Sequence, residues 1–151
     1  MQRYDTYLLG KDDVVMIQQG FSIGNRNWYV MAIYDINTRR DLEEVRKTLV
    51  ASGCDRYKVD EETSVLQMWN TGFTFTNLED HFTVVCISKA TSPEQMYDTM
   101  QHELKHVVEH ISEYYDVDPK SEESAYLQGE IGRQMFPVAA MLICPRCKSI
   151  D

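Results

Sequence analysis

The stretch from Ser92 onward has room for one kind of element. Ser92-Pro93-Glu94-Gln95 is a strong helix start, with Ser as N-cap, Pro at the first helical position and Gln placed to close a capping box. The spacing predicts a helix over residues 93–115 with one apolar side. With His102 at zero and about 100° per residue, Leu104, Val108 and Ile111 fall at roughly 180–240°, beside Met100 and Val107. A long helix with one apolar stripe must lie on an apolar layer, which the rest of the chain has to supply.

The opposite side carries His102-Glu103-Leu104-Lys105-His106, the H-E-x-x-H pattern. His106 sits about 40° from His102, within reach of one ion, and Glu103 flanks the pair at about 100°. Two imidazoles one turn apart can hold zinc, and a carboxylate beside them can take a proton from metal-bound water. A polar helix face can carry such a pattern by chance. Here the cap and the apolar phase both agree with the metal reading.

A catalytic zinc needs a third protein ligand and an open position. His110 is eight residues beyond His102, about 12 Å along the axis, so one ion cannot bind both. It reads as a residue around the site or on the surface. The position six residues after His106 is Ser112, which excludes a third histidine there. Glu122 is the expected ligand. It shares a face with Ala125, Tyr126, Gly129 and Arg133, and the small residues would allow close approach to the histidine helix. Glu123 is the fallback. Both acids also suit the first turn of any helix.

The remaining elements predict an α+β class. Residues 27–34 read as a strand and residues 39–51 as a helix capped from Asp35-Ile36-Asn37-Thr38 and ended by Ser52-Gly53. Residues 64–69 read as a short strand. Asn70-Thr71-Gly72 signals a turn, after which residues 73–76 and 81–88 pair antiparallel. Val84, Val85, Cys86 and Ile87 are consecutive apolar residues, so that strand should be covered on both faces. A second helix runs from Glu122 to about Phe136 and is interrupted near Pro137.

A length of 151 residues suits one domain, residues 1–151, with a strand-rich part containing one helix over 1–90 and a helical metal-binding part over 91–151. The net charge of −9, with basic residues scattered, argues against a nucleic-acid partner. No apolar stretch approaches membrane-spanning length and the first residues lack a secretory core. Four cysteines without a dense pattern suit reduced thiols in a cytoplasm.

His102-Glu103-x-x-His106 followed by Glu122-x-x-Ala125-Tyr126 resembles the gluzincin branch of zinc metallopeptidases. Residues 70–135 look like small uncharacterised peptidases of phages and mobile elements of gut Bacteroidetes, which would place the chain in a host cell cytoplasm. The resemblance implies a small zincin-like domain with a short, mainly antiparallel sheet. It implies Zn2+ held by His102, His106 and Glu122, with Glu103 as general base and a peptide or protein as substrate. It also implies an edge strand before the active-site helix, and residues 81–88 are the matching segment. Tyr126, or less readily Arg133 or His110, would stabilise the oxyanion. A catalytically silent interaction module is the alternative, as is a structural metal site.

Cys144-Pro145-Arg146-Cys147 is a lone C-x-x-C half, expected to be an ordinary tail, with Cys54, Cys86 and His81 as partners only if the fold brings them there. Trp28, Tyr29, Phe73 and Phe75 read as core.

Overall fold

The computed structural model describes residues 3–6, 17–24 and 26–143. Five strands, β1 (Arg3–Thr6), β2 (Ile17–Ile23), β3 (Trp28–Ile36), β4 (Gly72–Asn77) and β5 (Phe82–Ser88), form one sheet in the order β1-β2-β3-β5-β4. Every neighbouring pair is antiparallel except β3 and β5, which run parallel. The helices are α1 (Arg39–Ala51), α2 (Arg56–Val65), α3 (Pro93–Tyr114) and α4 (Glu122–Ile143). The class is α+β with a mainly antiparallel sheet.

Alternation along the strands sorts the chain into three layers. Val30, Ala32 and Tyr34 of β3 and Val85 and Ile87 of β5 face α3 and α4, where Leu104, Val107, Ile111, Leu127, Ile131 and Met135 close the larger core. Ile33, Val84 and Cys86 face the other way and pack with Val45, Leu49 and Val59 of α1 and α2. Covering on both faces explains the unbroken apolar run in β5, as expected from sequence. A register shift between Ile33 and Ile36, with Asp35 at φ 59°, turns Ile36 into the smaller core.

Local chemistry sets the helix starts. In α1 the Thr38 hydroxyl accepts from the Asp41 backbone N–H, and the Asp41 carboxylate accepts from the Thr38 N–H. In α3 the Ser92 hydroxyl accepts from the Gln95 N–H at 3.1 Å, with Pro93 inside the first turn.

Three expectations are corrected. Residues 64–69 are not a strand: Ser64 and Val65 end α2 and Leu66 caps it. The Asp55 side chain accepts from the Tyr57 N–H to open that helix, and Val59, Thr63 and Leu66 bury one side at helical spacing. Residues 1–90 therefore hold two helices. Helix α4 continues through Pro137 to Ile143, because Met135, Val138, Ala139 and Leu142 stay buried on either side of the proline. Burying each large side chain is worth about 1.5–3 kcal/mol, enough in sum to offset the roughly 3 kcal/mol that an interior proline costs. Tyr29 is 41% exposed rather than core, while Trp28 is buried and Phe73 and Phe75 pack against the smaller core.

The strands β1 and β2 carry no strong sequence signal, since Gln18-Gln19-Gly20 interrupts the apolar pattern. Gln19 is nonetheless fully buried. It donates to the Gln134 carbonyl of α4 at 2.6 Å and accepts from the Tyr34 hydroxyl at 2.8 Å. Both ends of the amide are satisfied, which makes its burial tolerable.

Candidate metal centre

The apolar stripe of α3 packs on the sheet and on α4, which leaves His102 exposed and His106 half-buried on the far side. Their Nε2 atoms are 3.2 Å apart, with the ring planes at 79°. Two Zn–N bonds of about 2.0–2.1 Å at a tetrahedral angle hold their nitrogens about 3.3 Å apart. The pair is therefore already spaced to share one ion. The other ring nitrogen of His106, Nδ1, lies 3.6 Å from a Glu109 carboxylate oxygen, longer than a hydrogen bond.

Glu103 does not share the exposure of the histidines. It is only 4% exposed, pressed between α3 and β4. Its Oε1 accepts from the Thr74 hydroxyl at 2.8 Å. A Cβ built on Gly72 would lie 2.7 Å from Glu103 Cγ and 2.8 Å from Oε2, so the carboxylate occupies space that any other residue at 72 would fill. Burial pushes the Glu103 carboxyl above the usual carboxylate range. The Thr74 hydrogen bond and the charges of His106 and His102 pull it back, and Glu62 adds a smaller upward push. Glu103 and His102 line one cleft of about 300 Å³ with Val65, Thr71, Gly72 and Asp98. Carboxylate and imidazole thus meet the same space, the arrangement that proton transfer to or from a bound water requires.

The edge strand beside this cleft is β4, not residues 81–88. Strand β5 lies inside the sheet between β3 and β4. The two residues of β4 that touch the site, Gly72 and Thr74, alternate on one face with Thr76. Sequence reading placed Gly72 in a turn and overlooked Thr74. The period-two run Gly72-Phe73-Thr74-Phe75-Thr76 is the signal that could have found them.

The expected third ligand is not there. Glu122 opens α4 on its exposed face, together with Ala125, Tyr126 and Gly129. Gly129 has no neighbour within 4 Å where a side chain would start, so the small residues mediate no close approach. The face that meets α3 holds Leu127, Ile131, Met135 and Gly132, the last against Leu104. From that crossing Glu122 is ten residues back, about 15 Å along the axis. The fallback Glu123 is held at 2.6 Å by Arg26. Among the described residues no group of three His, Cys, Asp or Glu is placed to hold a metal. His102 and His106 fit zinc as two ligands, and the described residues do not complete the set.

Tyr126 is 73% exposed on the outer face of α4, with Arg133 exposed beside it, so neither faces the cleft and the oxyanion role expected of them is withdrawn. His110, rejected as a ligand by spacing, packs its ring 6.3 Å from that of His106. Its Nδ1 is 2.8 Å from the Thr76 hydroxyl. Burial, and then the neighbouring His106, lower its pKa. Cys54 and Cys86 are free and buried in the smaller core, and His81 stacks on Trp28, so none of them joins the histidine pair. Cys144 and Cys147 lie outside the described residues.

No protein-family model, curated protein or solved structure matches this chain. Among the described residues no helix is long and apolar enough to cross a membrane.

Proposed function

We propose that the chain is a zinc-dependent metallopeptidase, a hydrolase of peptide bonds acting inside the cell that makes it, in keeping with a phage or mobile-element origin. One observation carries the reading: the His102 and His106 nitrogens stand 3.2 Å apart beside a cleft that also holds the buried carboxylate of Glu103. A bound zinc would supply polarisation of the scissile carbonyl and a more acidic water. Glu103 accepts the proton of the attacking water and returns it to the leaving amine. Thr74 fixes the carboxylate by a hydrogen bond, and among the described residues β4 is an edge strand whose outer backbone an extended peptide could pair with.

A second reading is favoured by the missing third ligand among the described residues. In it the chain is a catalytically silent zincin-like domain that binds a protein partner through the same cleft. Two measurements separate the readings. Isothermal titration with zinc tests the metal, and mass-spectrometric analysis of a peptide library tests cleavage. Cleavage that needs zinc and disappears in Glu103→Gln, with zinc affinity retained, supports the peptidase. Zinc binding without cleavage of any peptide sinks it in favour of the silent domain.

A further inference from the structure

The edge strand β4 borders a second cleft at its other end. Gly72 and Thr74 meet Glu103, whereas Thr76 meets His110. This second cleft, of about 310 Å³, is lined by Thr76, Leu78, His110, Glu113 and Tyr114. Both clefts lie between β4 and α3, so an extended chain following β4 past the histidine pair would run into it.

Its lining is held by a run of hydrogen bonds and ring contacts. The Trp28 indole can only donate, and it gives its N–H to Thr83 Oγ1 at 2.9 Å. Thr83 is fully buried, and its hydroxyl lies 3.0 Å from Thr76 Oγ1. Thr83 therefore satisfies its own hydrogen by donating to Thr76, whose hydroxyl also lies 2.8 Å from His110 Nδ1. The Tyr114 ring is fixed by the 2.8 Å bond between its hydroxyl and His81 Nε2 and by edge contacts with Trp28, His81 and Tyr115.

Charge and shape then select the occupant. Glu113 has no Lys or Arg partner among the described residues. Leu78, half exposed, and the Tyr114 ring offer apolar surface to a long stem. A lysine or arginine side chain lays its methylenes on such surface and carries its charge to a carboxylate. We propose that this second cleft binds a Lys or Arg side chain of an extended peptide. Glu113 is seven residues beyond His106, about 10 Å along the helix, which corresponds to about three residues of extended chain. The basic residue would lie that far from the bond to be cut. This rests on the peptidase reading, which makes the β4 edge the substrate path.

The test measures binding apart from cleavage. Fluorescence anisotropy of labelled octapeptides is followed on the full chain carrying Glu103→Gln, with zinc present, while Lys, Arg, Leu or Glu is moved through each peptide position. At one position Lys and Arg should bind about tenfold more tightly than Leu. The preference should vanish in the double variant with Glu113→Gln and turn towards Glu in that with Glu113→Lys. Absence of any basic preference, or a preference that survives Glu113→Gln, overturns the inference. Cleavage by the wild-type chain without a basic preference does so too and leaves the peptidase reading intact. Glu113-dependent binding without cleavage by the wild-type chain removes the peptidase reading and leaves the cleft assigned.

Discussion

Gly72 and Glu103 share one volume: the hydrogen on the glycine Cα stands where any other side chain would meet the Glu103 Cγ at 2.7 Å. Gly72→Ala should therefore push the carboxylate out of its seat against Thr74. A strand interior usually favours Ala over Gly by roughly 0.5–1 kcal/mol. The expected outcome here is the reverse, a lower melting temperature by calorimetry, with peptide hydrolysis lost and zinc affinity little changed. Unchanged hydrolysis in Gly72→Ala would mean that the buried position of Glu103 is not the working one.

The histidine pair predicts an asymmetric ligand scan. On the metal reading zinc should raise the melting temperature of the wild type, and His102→Ala and His106→Ala should each abolish that rise. A ligand at a hundredfold excess over its Kd stabilises by about 2.7 kcal/mol, which is easily read as such a shift. Glu122→Gln should keep the full shift, because Glu122 lies on the outer face of α4. Loss of the shift in Glu122→Gln would show that α4 can turn that face inward when metal binds.

Glu103 should cost stability at neutral pH in the metal-free protein. Its folded-state pKa is raised, chiefly by burial, so the folded chain keeps this proton to higher pH than the unfolded chain does. The stability it contributes is complete below the unfolded value of about 4.3 and is lost as pH rises through the folded value. Glu103→Gln removes this penalty and still offers an oxygen to Thr74. Its gain in melting temperature over wild type should be near zero around pH 4 and should grow towards neutrality. A gain independent of pH would contradict the cause assigned.

The two faces of α4 should respond oppositely to truncation. Met135→Ala empties part of the larger core and should cost about 2–5 kcal/mol in urea unfolding. Tyr126→Ala and Arg133→Ala, on the outer face, should stay within about 0.5 kcal/mol of wild type and leave hydrolysis unchanged. A large loss of rate in Tyr126→Ala would restore that residue to the cleft.

The parts of the fold that sequence made legible are those with local, redundant signals. Ser92-Pro93 and the apolar phase of α3 agree on start, length and orientation, and the exposed histidines follow from them. The apolar run of β5 gave its two-sided burial. Glu122 failed because two arguments competed. Ligand chemistry and the small residues Ala125 and Gly129 pointed one face inward, whereas Leu127, Ile131, Met135 and Val138 pointed the other. Four large apolar side chains at about 1.5–3 kcal/mol each decide such a contest. Strands β1 and β2 were not legible because Gln19 is buried through bonds to Gln134 and Tyr34, which lie far along the chain. The edge position of β4 was hidden for a similar reason, since sheet order is set by the long-range pairing of β3 with β5.

The pairings of the sheet differ in how far apart along the chain their partners lie. Two helices and a strand separate β3 from β5, so the loop must close at an entropic cost before the pairing returns anything. His102 and His106 need only one turn of helix to stand together, and helices form in about a microsecond. The seat of Glu103 needs more: α3 must fold back on β4 to bring Glu103 to Thr74, 29 residues earlier in the chain. On the metallopeptidase reading, the two proposed metal ligands can thus stand together before the proposed base reaches its seat against Thr74.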